Sequence, residues 1–259
     1  MSEVVEKIIG DTLASGVEPL RRLYHGIYDG YDDVPTAYVA ETEVFLTTTG
    51  IIKGYEASID KRSVGIRWSI SNIAAAYRAL QELRANDKKA YFITAPVTTS
   101  FLEGDAAAEL ERLAGDGITG DGIVLAIREK TVLTSEKARQ SIKDVRSMGY
   151  GVAVYGFSGA QSLESITAVP VDYLFLSEEL TALSGDRDKP GLFNALMSLL
   201  RAMRSEIVLC GVKSDDVIRD ATAAECFGVI PSEEYQGEFT FPKGGLTLEQ
   251  ILKGEHGTL

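Results

Sequence analysis

Short apolar runs alternate with amphipathic stretches from about residue 90 to residue 231 of the chain. The apolar runs are rich in β-branched and aromatic residues, which is typical of strands that are covered on both faces. We predict six strands: AYFITAP (90–96), GIVLAIRE (122–129), GVAVYGF (151–157), VDYLFLS (171–177), EIVLCGV (206–212) and FGVIP (227–231). The segments between them have helical patterns, so we expect repeated βα units with parallel strands and right-handed crossovers.

The part of the chain before these units has a different pattern. Residues 43–60, EVFLTTTGIIKGYEASID, predict a hairpin that turns near Thr49 and Gly50. A period of 3.6 residues then predicts a helix, from the apolar positions Ile70, Ile73, Ala74, Tyr77, Leu80 and Leu83. Two further helices are expected near the start of the chain, at residues 3–14 and at about residues 19–28.

Together these elements predict an α/β fold. About seven parallel strands and an initial antiparallel strand favour a modified TIM (β/α)8-type barrel. An open doubly wound sheet is the alternative. We assign residues 1–40 to an N-terminal helical extension, which either caps the barrel or mediates dimerisation, and residues 41–259 to the barrel domain.

Composition narrows the classes of partner. The 259 residues include 26 Lys and Arg against 38 Asp and Glu, and the net charge of -12 repels phosphate backbones, so we expect no nucleic-acid partner. No apolar run reaches the ~20 residues that a membrane span needs. The start of the chain also lacks the pattern of a signal peptide, so we expect a cytoplasmic protein with no membrane contact. The 2 cysteines and 2 histidines imply no disulfide framework and weaken histidine-based chemistries.

Four segments resemble the EAL-domain family in their order and spacing: GYEAS (54–58), PVDYLFLS (170–177), CGVKSDD (210–216) and QGEFTFPKGG (236–245). The family consists of bacterial barrels that bind or hydrolyse cyclic di-GMP. The resemblance, which covers roughly residues 44–253, implies a site at the carboxyl ends of the barrel strands. Active members hold two divalent ions there with carboxylates and an asparagine, because two hard cations need several anionic oxygens.

Most positions that such a site requires carry other side chains in this chain. The resemblance makes Glu56 the glutamate of the signature motif and places Gln236 near the bound nucleotide. The other expected ligands and charged groups fall on Thr94, Ala126, Tyr155, Gly156, Phe175, Ser177, Cys210 and Lys213. The resemblance places a lysine of the family at the position of Phe175. One carboxylate cannot hold two metal ions, so we expect no cofactor and no hydrolysis of cyclic di-GMP. Mg²⁺ or Mn²⁺ would be required only if hydrolysis had survived with displaced ligands.

The remaining candidate residues are open to two interpretations each. Arg128 shares the inward face of its strand with Ala126, and it either pairs with Glu56 in the mouth of the barrel or points to solvent at the rim. Cys210 is expected to be a packed apolar residue, since no histidine is near it in sequence to activate a thiol. Tyr155 either fills the mouth or donates a hydrogen bond to a ligand.

Three functions follow from the resemblance. The first is a catalytically inactive regulatory protein of a cyclic di-GMP-related pathway that acts through protein–protein contacts; its partner is unknown, and a homodimer is one assembly considered. The second is a non-hydrolysing receptor for cyclic di-GMP, which Asp60 disfavours because the family places an arginine there. The third is an active cyclic di-GMP phosphodiesterase with displaced metal ligands.

Overall fold

The strands of the protein form a single sheet. The computed structural model describes residues 7, 9–11, 20–30, 32–46, 50–52, 59–60, 62–159, 167–185, 188 and 190–254. The strands of these described residues are β1 Leu20–Ile27, β2 Ala37–Leu46, β3 Gly50–Ile52, β4 Ile93–Pro96, β5 Ile123–Arg128, β6 Gly151–Phe157, β7 Tyr173–Leu176, β8 Glu206–Val212 and β9 Gly228–Pro231. All six strands predicted beyond residue 90 are confirmed.

The strand order identifies the sheet as a barrel. The order is β1-β2-β4-β5-β6-β7-β8-β9, in which every pair from β2 onward is parallel and β1 is antiparallel to β2. The predicted hairpin is confirmed as β3 pairing antiparallel with β2. Tyr28 and Val229 exchange two backbone hydrogen bonds of 2.9 Å, which join the end of β1 to β9. This contact closes the sheet, so the barrel with an antiparallel first strand is confirmed and the open sheet is wrong.

Helices cover the outside of the barrel: α1 Arg62–Ala85, α2 Thr99–Leu102, α3 Ala106–Gly115, α4 Glu129–Thr134, α5 Glu136–Ser147, α6 Glu178–Thr181, α7 Pro190–Arg201, α8 Asp215–Ala223 and α9 Leu248–Lys253. Polar caps define their starts. Asp105 accepts the amide of Ala108 at the start of α3, and Thr247 begins α9 with a capping box that uses Gln250. None of the described helices is both long and apolar enough to cross a membrane.

Successive side chains of each strand point to opposite faces of the sheet, so the apolar side chains form two separate layers. One layer fills the space between the sheet and the helices, and includes Leu80, Leu110, Ile142 and Leu200. The other fills the inside of the barrel and consists of Ile27, Ala37, Val39, Phe92, Val124, Ala153, Phe175, Val208, Cys210 and Ile230. Because both faces of the strands are buried, the strands read as continuous apolar runs in the sequence.

One predicted helix near the start of the chain is wrong. The segment expected to be helical at residues 19–28 forms β1, which pairs with β2 in continuous register from Leu20 opposite Val44 to Ile27 opposite Ala37. Residues 7 and 9–11 are helical, and the rest of the helix expected over residues 3–14 lies outside the described residues. The proposed division into residues 1–40 and 41–259 stays a prediction about domains, although β1 and β2 extend the sheet across residue 40.

Candidate functional site

The carboxyl ends of the parallel strands surround the mouth of the barrel. In the paired strands β5 and β6, Ala126 lies opposite Ala153 and Arg128 opposite Tyr155. Ala126, Arg128 and Tyr155 line one cavity of about 410 Å³, which we call the Arg128 cavity. Its other walls include His25, Glu41, Ile59, Asp60, Trp68, Pro96, Thr99, Thr131 and Ile230. The structure therefore brings together three residues that the sequence predicted at the mouth.

A second cavity opens beside the first, on the side of β7 and β8. This space of about 650 Å³, here called the Cys210 cavity, is lined at the mouth by Tyr155, Gly156, Ser177, Glu178, Cys210, Gly211 and Lys213, among other residues. Three side chains, those of His25, Tyr155 and Ile230, line both cavities. These residues form the wall between the two cavities.

Tyr155 stands on Phe175 inside the mouth. The two ring centroids are 5.7 Å apart with an interplanar angle of 36°. Phe175 is fully buried, whereas 44% of Tyr155 is exposed. Phe175 therefore fills the inside of the barrel, and the Tyr155 ring is presented to the two cavities. At Gly156, where the register of β6 against β7 shifts, φ is +70°, a backbone conformation that favours glycine.

Two residues that the sequence analysis did not single out face the Arg128 cavity. His25 Nε2 of β1 lies 2.8 Å from Glu41 Oε2 of β2. This hydrogen bond, assisted by the charge of His25, holds the pKa of Glu41 below its usual value. The pair was missed because residues 19–28 were predicted to be helical. Glu41 could have been located from the sequence, because alternate residues of a strand share one face, and on β2 these are Ala37, Val39, Glu41 and Glu43.

Comparison with known proteins tests the resemblance. The family profile of the EAL domain matches residues 57–230, which is more than half of the chain. The chain belongs to the EAL-domain family. No curated protein matches the sequence significantly.

Solved structures agree with the fold of this EAL-domain protein. EAL enzyme Bd1971, in a form with bound cAMP and cyclic-di-GMP, is 16% identical with a TM-score of 0.77, over 98% of this chain and 69% of that one. The PaMucR phosphodiesterase, in complex with c-di-GMP, is 15% identical with a TM-score of 0.74, over 93% of this chain and 97% of that one. An EAL-domain protein from Listeria monocytogenes EGD-e is 14% identical with a TM-score of 0.72, over 95% of each chain. At these identities the likeness establishes the fold alone.

Cys210 of this EAL-domain protein is a packed thiol. Its side chain is 8% exposed and belongs to the apolar cluster inside the barrel. Burial, with a further contribution from the negative charge of Glu178, raises the pKa of Cys210 to about 12. Nucleophilic chemistry needs the thiolate, which this environment disfavours. The geometry agrees with the expectation that Cys210 is an apolar packing residue.

Thr94 and Gln236, which the resemblance placed at the site, line neither cavity at the mouth. Thr94 is buried within β4, where its Oγ1 accepts the amide of Ala40 at 3.1 Å. Gln236 is exposed in the segment after β9, and its backbone N–H donates to the backbone carbonyl of Lys213. The side chain that β9 itself directs into the mouth is that of Ile230.

Glu56 lies outside the described residues, and so does its predicted pairing with Arg128. The side chain of Arg128 is exposed, and it forms no hydrogen bond or ion pair with the described part of the chain. The exposure of Arg128 places it at the rim of the mouth, and its pairing with Glu56 stays a prediction. That position still lies on the wall of the Arg128 cavity.

If Glu56 and Ala126 point inward, alternation predicts that Asp60 and Glu129, two carboxylates near the mouth, point away from the interior. Asp60 does line the Arg128 cavity, because it lies in a turn beside α1 and does not alternate along a strand; its Oδ1 accepts the amide of Thr99 at 3.0 Å. Glu129 points away as expected. It is 9% exposed at the start of α4, and its Oε2 accepts the amide and the hydroxyl of Ser158 at 3.0 and 2.8 Å.

The described side chains at the mouth do not by themselves bring together the ligands of a cluster of two divalent ions. Among the described residues, no three His, Cys, Asp or Glu side chains converge as a metal ion would require. Glu41 and Asp60 are the carboxylates that these residues contribute to the Arg128 cavity, and both already accept hydrogen bonds. Hard cations take six or more oxygen ligands.

Proposed function

We propose that this EAL-domain protein is a catalytically silent regulatory protein that acts through protein–protein contacts in a cyclic di-GMP-related pathway. The observation that supports this proposal is the chemistry of the strand ends. Ala126, Tyr155 and Cys210 occupy the ends of β5, β6 and β8, where a two-metal hydrolase needs oxygen ligands.

Product chromatography tests the loss of catalysis. The full chain is incubated with cyclic di-GMP and Mn²⁺ or Mg²⁺, beside an active EAL-domain phosphodiesterase as positive control. We expect the cyclic dinucleotide to remain intact with this protein. A linear dinucleotide that forms in proportion to enzyme, and disappears with a chelator, would refute the proposal and establish the phosphodiesterase.

The second candidate is a non-hydrolysing receptor for cyclic di-GMP. It is favoured by the exposed Arg128 guanidinium at the mouth, and by the cyclic di-GMP bound in two solved structures with the same fold. Asp60 opposes it, because its carboxylate faces the same cavity and repels phosphate. Calorimetry with cyclic di-GMP in the presence of a chelator distinguishes the two candidate functions. Saturable binding supports the receptor, and the absence of binding supports the protein that acts through protein–protein contacts.

The partner, including a second copy of this chain, is best sought with the sheet intact. A truncation at residue 40 would remove β1 and a part of β2, so loss of binding would report unfolding. A variant that lacks residues 1–18 keeps all nine described strands. Light scattering measures the oligomeric state of this variant and of the full chain, and pull-down from cell extract compares their partners.

A further inference from the structure

Three buried tyrosines lie together on the outer face of the barrel. Tyr24 and Tyr28 of β1 and Tyr38 of β2 are 5%, 4% and 4% exposed, and they belong to the apolar layer between the sheet and the helices. All three line the Cys210 cavity, which therefore extends from the mouth to the outside of the barrel; we call the part that they line the tyrosine groove. Tyr38 is paired with Ile93 at the start of β4, and Tyr28 is bonded to Val229 near the start of β9. Tyr28 and Tyr38 thus lie at the amino ends of the parallel strands, opposite the mouth.

The hydroxyl groups of the three tyrosines form no hydrogen bond with the described part of the chain. A buried hydroxyl that lacks a hydrogen bond costs free energy, and buried tyrosines usually have a partner. Burial raises the pKa of Tyr38 to about 12, and burial with smaller contributions from Tyr38 and Asp33 raises the pKa of Tyr28. Both phenols therefore keep their protons at neutral pH and are available as donors to a ligand in the groove.

Gly26 forms the floor of the tyrosine groove. It lies between Tyr24 and Tyr28 on the same face of β1, and opposite Tyr38 of β2. A Cβ atom at Gly26 would come within 2.8 Å of the ring and the hydroxyl of Tyr28, so this ring lies back over the backbone of Gly26. Phe241 packs against the same ring, with the two centroids 4.7 Å apart. The hydroxyl of Tyr28 is therefore held in place before a ligand arrives, which lowers the entropic cost of binding.

Two lysines give the groove a positive end. Lys88 and Lys89 follow α1 and line the cavity together with the tyrosines, and Lys88 is half-buried. The carboxylates that the described residues contribute to this cavity follow β7 and β9 at the mouth; they are those of Glu178, Glu233 and Glu234. An anion is therefore attracted to the amino end of the cavity and repelled from the mouth. The charge of the exposed Asp33, which reaches Tyr28, disfavours a second negative charge on that anion.

Apolar side chains complete the walls of the groove. Leu246, whose backbone exchanges hydrogen bonds of 2.8 and 3.0 Å with that of Tyr24, lines the cavity. Ile251 of α9 and Pro35, which precedes β2, are also buried in its lining. A concave space with apolar walls and a few convergent polar groups is typical of a small-molecule site.

We propose that the tyrosine groove binds a small monocarboxylate with an apolar body. Its carboxylate accepts hydrogen bonds from the hydroxyls of Tyr28 and Tyr38 beside the two lysines, and its body lies against the apolar walls. This proposal goes beyond the regulatory function proposed above. It concerns the end of the barrel opposite the mouth, so it holds whichever way the experiments with cyclic di-GMP end.

Calorimetry on the full chain tests the proposal with phenylacetate and hexanoate, which carry a carboxylate on an aromatic and on an aliphatic body. Phenylacetamide and hexanamide lack the charge, and acetate lacks the body. We expect at least one of the two complete probes to bind, and its amide and acetate to bind at least about tenfold more weakly. No saturable binding by either complete probe up to its solubility, or equal binding of its amide, would overturn the proposal.

A hydroxyl deletion locates the bound probe. Tyr38→Phe keeps the ring and should weaken binding about tenfold, because a hydrogen bond to a charged group is lost. Tyr150→Phe is the matched control, since Tyr150 is 3% exposed, does not line the cavity and loses the same group. Urea denaturation establishes that both variants are folded. Binding that is unchanged in Tyr38→Phe, or lowered equally in Tyr150→Phe, would refute the assignment.

A second pair of variants tests the positive end of the groove. The double variant Lys88→Gln with Lys89→Gln should weaken the complete probe at least about tenfold, because the attraction for the carboxylate is lost. Lys137→Gln with Lys143→Gln removes the same two charges from exposed positions on α5 that do not line the cavity. An equal loss of binding in the two double variants would show an effect of net charge alone and would contradict the site.

Discussion

Phe175 leads to a sharp prediction about the inside of the barrel. The resemblance expects a lysine at this position, so Phe175→Lys restores the family residue. Phe175 is fully buried among Val208, Ala153 and other apolar side chains, with the Tyr155 ring above it. The side chains of this cluster are apolar, so none of them offers an ammonium an opposite charge. We therefore expect the ammonium to be unpaired and desolvated, and the variant to be strongly destabilised.

The expected loss of unfolding free energy has two contributions. Loss of the packed ring costs about 1–2 kcal/mol in Phe175→Met, which replaces it with a flexible apolar side chain. Burial lowers the pKa of a lysine by about 3 units or more, and each unit costs about 1.4 kcal/mol at neutral pH. Phe175→Lys should thus lose about 4 kcal/mol more unfolding free energy than Phe175→Met, a large part of the roughly 5–15 kcal/mol of a typical domain.

Urea denaturation of the two variants, followed by circular dichroism, measures this difference. A lysine with a lowered pKa in the folded state binds fewer protons there than in the unfolded chain. Stability therefore rises with pH between the two pKa values. We expect the difference between Phe175→Lys and Phe175→Met to shrink from pH 7 towards pH 10. Equal stability of the two variants at pH 7, with no pH dependence, would refute the reasoning, because it would mean that the ammonium finds water or a carboxylate.

Two further predictions test packing elsewhere. Burial raises the pKa of Cys210 and of Cys226 to about 12, so both thiols are protonated at pH 8. Iodoacetamide should therefore label them far more slowly in the native protein than in urea, where both of the chain's 2 cysteines react. Labelling of the native protein as fast as in urea would contradict this prediction. On α7, Leu200 is fully buried and the neighbouring Leu199 is 47% exposed. Leu200→Ala should lower the unfolding free energy by about 2–5 kcal/mol, and Leu199→Ala, the same chemical change, by less than about 0.5 kcal/mol. Similar losses from the two variants in urea titrations would contradict the placement of the helix.

The mouth shows where reasoning from the sequence succeeded and where it stopped. The strands from Ile93 to Pro231 were predictable because their patterns are local, and their inward ends at Ala126, Arg128 and Tyr155 followed from alternation. The His25–Glu41 pair was not predictable in this way, because the two residues meet only when β1 lies antiparallel against β2.

The first strand illustrates the physical reason. Leu20, Leu23, Tyr24 and Ile27 repeat every three or four residues, so the local pattern is that of a helix. In the barrel, however, β1 is covered on both faces, and its eight register pairs with β2 outweigh that local preference. A periodic pattern indicates which residues are buried, but it does not indicate which elements of the fold cover them.

From the sequence alone, the class of fold and the family could be determined, because each depends on residue type and order along the chain. The tertiary structure alone decided that the barrel begins at Leu20, that Glu41 faces its mouth, and that Tyr155 is exposed between two cavities. These features depend on contacts between strands that are distant in sequence, and such contacts are set by closure of the whole barrel.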